Sequence, residues 1–434
     1  MSGLFGLGMP RGVRRLWRVR EHVRDTLWFA PVAGLVLTFA LWNLATWGDQ
    51  ALVDALTEAG AEVTDLAEDA KAIVTTVSQA MLTFLGVVFS ISLVALQMTS
   101  AQLTPRVVRI FVRSRITKAT LTVFLSTFVF ALLVLTSYND TDPAGEGGAV
   151  PLLQALCTLA LVALSLLLFI AYVTATVRLM QVGPVVDRIT REALRGVERQ
   201  PTDRDLPAGL PEQTGVLRHR GRAGVLCGWD TADLVGFARR HGVTLRTVPR
   251  VGDYVMPGSA VLAVHGGRLP ATAVLPRAVA WVGSERIPGQ DAGFGLRQLS
   301  DIALRALSSA VNDPTTAVQC LDRIVHLLAA TAARPLGPVP HHDRDGALRL
   351  LQAAPDWTEL VDLALAEIRA AAPGQAQVTR RFLAGVDDLL ALVPEDRAQA
   401  LLHHRALLER AVHHAVPDPA ERDFALEPDR QGIT

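Results

Sequence analysis

The amino-acid sequence predicts an α-helical membrane domain of four transmembrane helices, followed by a cytoplasmic α+β domain with a small β-sandwich-like part and a helical C-terminal part. Three observations carry that expectation. Half of the 434 residues are hydrophobic and the mean hydropathy is positive. Four long apolar stretches crowd into the first 180 residues. Beyond them, short runs broken by Gly and Pro give way to helical periodicity. The expected boundaries are 1–180 for the membrane domain, 181–290 for the α+β part, 291–416 for the helical part and 417–434 for a loose tail rich in Pro, Asp and Glu.

The first element is basic before it is apolar, like a signal peptide. Its apolar run, 27–47, is too long for a signal and lacks a small-residue cleavage site, so it reads as a retained anchor. A hydrocarbon core takes about 20 apolar residues in a helix, which the stretches 27–47, 73–97, 120–138 and 150–178 supply. Trp28, Trp42, Trp47 and Tyr138 lie towards span ends, as in an interfacial aromatic belt. Arg11, Arg14, Arg15, Arg18, Arg20 and Arg24 precede the first span, and Arg106, Arg109, Arg113, Arg115 and Lys118 lie between the second and third. The opposite loops carry Asp49, Asp54, Glu58, Glu62, Asp65, Glu68, Asp69, Asp140, Asp142 and Glu146 against Lys71 alone. Positive flanks stay inside, which places both termini in the cytoplasm.

The second span differs from the others. Thr76, Thr83, Ser90 and Gln97 recur every seven residues, with Gln79 and Gly86 between them, so one helix face is polar and small. Such a face serves either close helix packing, with side chains bonding across to a neighbour, or a wetted pore lining in a homo-oligomer. No ionisable side chain is expected inside any span. The helix is expected to run on to Leu103 and break at Thr104-Pro105, with a basic amphipathic segment, 106–113, on the inner membrane surface.

After Arg178 the apolar runs shorten, and 200–222 reads as a linker or exposed loop. Strands are expected at 225–227, 243–248, 254–256, 260–264 and 278–282, with a helix capped by Asp230 running to Arg240. An amphipathic helix, 294–310, stops at Asn312-Asp313-Pro314, where Asp313 caps a helix over 314–330. A proline-rich loop and at least three more helices between Trp357 and Val416 complete the chain.

Two sets of residues identify a relationship. One is Phe89-Ser90-Ile91-Ser92-Leu93-Val94-Ala95-Leu96-Gln97 through Thr104-Pro105-Arg106. The other is Gly293-Phe294-Gly295-Leu296-Arg297-Gln298-Leu299-Ser300-Asp301-Ile302-Ala303-Leu304-Arg305-Ala306-Leu307-Ser308 with Asn312-Asp313-Pro314-Thr315-Thr316-Ala317. In both, the chain resembles the DUF2254 family of predicted bacterial membrane proteins, and the likeness continues in order over most of the chain, including Arg250-Val251-Gly252-Asp253. Ser309 departs from the proline the family pattern leads one to expect. The resemblance implies an architecture and a bacterial inner membrane as its place, and brings no activity with it.

Few constellations carry chemistry. The zero net charge gives no sign of a nucleic-acid partner, and Cys157, Cys227 and Cys320 are too dispersed for a disulfide framework or a zinc site. The segment 251–262 looks like half of a biotinyl-type sandwich but lacks the carrier lysine. His403 and His414 share a helix face about 16 Å apart, too far to hold one metal. No catalytic motif is present, so neither a cofactor nor a metal is expected. The remaining polar candidates are a ladder of Arg297, Asp301 and Arg305, four apart, and a junction of Asn312, Asp313, Thr315 and Thr316 where free helix amides offer an anion pocket. Two functions follow. One is a homo-oligomeric ion channel or transport-like pore with a regulatory cytoplasmic domain; the other is a membrane-anchored sensor or scaffold whose cytoplasmic domain binds a ligand or partner.

Overall fold

The structure, a computed structural model, describes residues 28–58, 63–102, 114–139, 151–198, 207, 209–270, 279–284, 286, 291 and 293–431. They fall into two compact units that divide between Gln181 and Val182. The basic segment 106–113 and the break at Thr104-Pro105 lie outside the described residues.

The first unit is four helices: α1 (Phe29–Glu58), α2 (Val63–Gln102), α3 (Arg115–Asn139) and α4 (Leu152–Met180). Each contains a stretch long and apolar enough to cross a membrane: Phe29–Asp49, Glu68–Met98, Arg115–Tyr138 and Leu152–Arg178. At 1.5 Å per residue the 40-residue α2 is about 60 Å long, twice the roughly 30 Å hydrocarbon core. Much of what the sequence offers as an outer acidic loop is therefore helix.

Small residues set the spacing between these helices. A Cβ on Gly48 of α1 would come 2.5 Å from Leu153 Cδ2 of α4, and one on Gly34 would strike Thr122 of α3. Between the helices sit two apolar clusters. One is centred on Ala45, Val74, Phe130, Val134 and Tyr138; the other joins Met81, Val88, Phe124 and Tyr172.

The second unit begins with α5 (Val182–Glu198), an amphipathic helix burying Val185, Val186, Ile189 and Val197. A sheet region follows: β1 (Gln213–Arg218), β2 (Gly224–Trp229), α6 (Thr231–His241), β3 (Thr244–Thr247), β4 (Tyr254–Val255), β5 (Ala260–His265) and β6 (Ala280–Gly283). The helical region comprises α7 (Phe294–Ala306), α8 (Pro314–Ala332), α9 (Trp357–Ala371), α10 (Ala376–Leu390), α11 (Glu395–Ala415) and α12 (Pro419–Leu426). Between α8 and α9 lie β7 (Val339–His342) and β8 (Leu348–Gln352). Two sheets form, ordered β1-β5-β3-β8-β7 and β4-β2-β6. Leu226, Val255, Leu262, Leu245 and Leu350 from both sheets share one core with Leu234 and Phe237 of α6.

Four sequence expectations need correction. Residues 200–222 are not all linker, because β1 lies within them and pairs with β5, Val216 opposite Ala263. The proline-rich loop holds the β7–β8 hairpin, closed by the Asp343 carboxylate accepting from Asp345 N, Ala347 N and Arg349 Nε. The helix from Phe294 ends at Ala306 rather than 310: Ser308 N bonds three residues back to Arg305 O, and after the left-handed Asn312 (φ 49°) Asp313 N closes onto Ala306 O. The tail carries α12, capped by Asp418 and held by the Arg380 guanidinium over the Phe424 ring at 4.0 Å. β8 pairs in parallel with β3, Leu245 opposite Leu350, so one sheet draws strands from both sides of residue 290.

Candidate functional site

On α2 the chain has two rows of seven-residue spacing. Val74, Met81, Val88 and Ala95 are the buried row, none more than 4% exposed. The polar row, Thr76, Thr83, Ser90 and Gln97, is offset from it by two residues, which rotates it about 200° around the axis. Together with Gln79 and Gly86 it is exposed on the outside of the four-helix unit. The Thr76 hydroxyl turns back to its own helix, donating to Ala72 O at 2.9 Å. A Cβ on Gly86 would meet nothing within 4 Å.

The polar contacts between helices come from other residues. Ser92 Oγ and Tyr172 OH lie 2.6 Å apart, joining α2 to α4. Thr127 Oγ1 and Ser165 Oγ lie 3.0 Å apart between α3 and α4. Trp42 Nε1 donates to Ser137 Oγ at 3.2 Å between α1 and α3. The sequence does not mark these contacts, because isolated hydroxyls in apolar runs have no periodicity, and Trp42, expected in an interfacial belt, bonds between helices.

One ionisable group was misplaced by the sequence reading. Asp49, assigned to an outer loop, is on α1 and 1% exposed. Its Oδ1 accepts from Leu153 N at 2.5 Å, capping the first turn of α4 from a different helix. Beside it Gln154, also 1% exposed, donates from Nε2 to Thr46 Oγ1 at 3.1 Å. The unsatisfied amides at the α4 N-terminus carry a partial positive charge that stabilises the carboxylate.

In the second unit two residues of the ladder, Arg297 and Asp301, pair, and Glu367 joins them. Arg297 pairs with Asp301 at 2.8 Å and with Glu367 of α9 at 3.0 Å. Burial opposes its charge, but the hydrogen bonds and charges of Glu367 and Asp301 prevail, so the guanidinium is held protonated more firmly than usual. Arg305 lies on the same helix, where its carbonyl accepts from the Ser308 hydroxyl. At the junction, Asp313 fills the amide position itself: it accepts from Thr316 N at 3.0 Å and from the Thr316 hydroxyl at 2.6 Å. Asn312 Oδ1 accepts from Gln375 Nε2 at 3.1 Å, while Thr315 is exposed. The arrangement is a helix start tied to α10.

The segment around Gly252 is a joint between sheet and helices. Gly252 has φ 103°, and a Cβ there would come within 2.8 Å of the Arg286 guanidinium. Arg286 forks onto Asp291 at 2.7 and 3.0 Å, and Arg250 pairs with Glu359 of α9 at 2.5 Å. Burial pushes the Cys320 thiol up to about 12, which removes it as a nucleophile near neutral pH. Among the described residues no group of three or more His, Cys, Asp or Glu is placed to hold a metal ion.

Two curated relatives are similar to this chain over most of its length. Each is 28% identical over 433 residues, covering 95% of this chain and 79% of the relative: an uncharacterized protein of Mycobacterium tuberculosis and one of Mycobacterium bovis. No solved structure matches the chain. The family described as predicted membrane protein DUF2254 matches residues 24–388, which span all four apolar helices, both sheets and the helices through most of α10. The chain belongs to that family.

Proposed function

We propose that the protein is a homo-oligomeric pore of the bacterial inner membrane, with both termini cytoplasmic, α2 lining the path and the second unit regulating it. The observation that carries this reading is the exposed polar row. A primary amide placed in hydrocarbon without a partner costs several kcal/mol, and Gln79, Gln97 and three hydroxyl residues stand together on the outer side of α2. A ring of copies turning this row towards a common axis supplies water or partner side chains to all of them.

Arginine-rich flanks before α1 and between α2 and α3 support the orientation. Acidic residues at the opposite ends would gather cations at the outer mouth, favouring cation passage on electrostatic grounds.

Flux through purified protein in liposomes tests the reading. Thr83→Leu and Ser90→Leu place apolar bulk on the path and lower flux per assembled oligomer by dewetting, while Leu93→Ala leaves it unchanged. Unaltered flux per oligomer with reduced assembly yield would reject the pore and leave a packing face on a membrane-anchored sensor or scaffold.

A further inference from the structure

Two turns of the second unit are bonded into one tip. His219, after β1, donates from its backbone N to Ser259 O at 2.8 Å, and Gly258 N donates back to His219 O at 2.8 Å. Arg218 Nη1 adds a third bond, to Gly258 O at 2.8 Å. Gly258 has φ 87°, a conformation that suits this turn to glycine. Two of these three bonds are between backbone atoms, and none involves the side chains of Arg220 or Arg222.

Those side chains are of two kinds. Arg218, Arg220 and Arg222 are exposed, and neither 213–229 nor 254–265 contains an Asp or Glu. Beside them Tyr254 is 65% and Met256 57% exposed; they flank buried Val255 and so point outward together. A basic turn alone would be an ordinary solvated loop. Here a large aromatic and a methionine are held out into water on the same tip, so basic and apolar side chains share one display.

We propose that this tip docks on an anionic phospholipid surface, with the arginines on headgroup phosphates and Tyr254 and Met256 seated at the interface. Guanidinium forks match phosphate oxygens, and amphipathic side chains beside basic ones are the composition of interfacial anchors. The proposal rests on the membrane embedding of the chain, which holds the tip at high effective concentration near lipid, so that weak docking suffices.

The experiment uses the full chain in nanodiscs of phosphatidylcholine alone or with phosphatidylglycerol. The same lipids in both leaflets make the outcome independent of orientation and of pore activity. Met256→Cys, and separately Tyr254→Cys, report burial of the tip by their alkylation rates; the parent chain, whose Cys227 and Cys320 are buried, sets the background. Anionic lipid slows alkylation at both positions. Arg220→Gln with Arg222→Gln, which leaves the bonds of the tip intact, weakens docking by about thirtyfold and restores the rate, since each surface arginine contributes a factor of about five. Equal rates in the two lipids at both positions overturn the proposal. Equal slowing by inorganic phosphate in phosphatidylcholine nanodiscs also overturns it, in favour of a soluble anion.

Discussion

Ser92 and Tyr172, 80 residues apart, meet through a 2.6 Å hydrogen bond between their hydroxyls, with Tyr172 fully buried inside the four-helix unit. The bond ties α2 by its buried face, which fixes the rotation of that helix and thereby turns the polar row outward. Tyr172→Phe and Ser92→Ala each destabilise the unit by about 1 kcal/mol. A double-mutant cycle of unfolding in detergent then gives coupling of that order; strictly additive losses would show that the contact does not join the helices.

Asp49 holds the start of α4 from α1, so its acceptor matters more than its volume. Asp49→Ala leaves the Leu153 amide without its partner and lowers unfolding stability by about 1–2 kcal/mol. Asp49→Asn keeps an acceptor and loses about half as much. Equal losses in the two variants would mean that packing, rather than capping, accounts for the residue.

His404 is buried on α11 with Nε2 on Asp362 at 2.8 Å. Burial lowers its pKa below the ordinary imidazole value, outweighing the Asp362 contact that raises it. The unfolded chain therefore binds the proton more readily than the folded one. Stability is complete above the unfolded value of about 6.5 and is lost as pH falls from there through the folded value. Thermal unfolding of the full chain near pH 7 and near pH 5 should show a fall in Tm that His404→Gln reduces. An identical fall in the variant would assign the acid sensitivity to other groups.

Orientation is open to labelling from either side of the membrane. Single cysteines at Glu62 and Glu146 should react from outside, and cysteines at Arg109 and Arg220 from inside. Inverted labelling of the first pair would reverse the topology and with it the cation argument.

The apolar helices were legible because their signal is composition, which needs no partner. Asp313 and Asp230 were legible as caps because a cap is local to its own helix. The seven-residue polar row was visible too, but its direction was not: that depends on which face α1, α3 and α4 leave uncovered. Asp49 was misread because its partner, Leu153, lies 104 residues away. Two misses had signals that went unused. Val185, Val186, Ile189 and Val197 recur at helical spacing in α5, and Asp345-Gly346 marks the hairpin of β7 and β8. The Glu367 contact to Arg297 carried no signal, since it depends on how two helices cross.

The pairing of β3 with β8 bears on how the chain is made. Ala353 N reaches Thr247 Oγ1 across 106 residues, and a ribosome adding about 5–20 residues per second needs roughly 5–20 s to synthesise that stretch. Throughout that interval the inner edge of β3 stands open beside the buried positions of β5, while the spans are already entering the bilayer. An unpaired edge of this kind invites pairing with another nascent chain. Protection of this edge during translation therefore bears on how much protein matures, apart from the stability of the finished sheet.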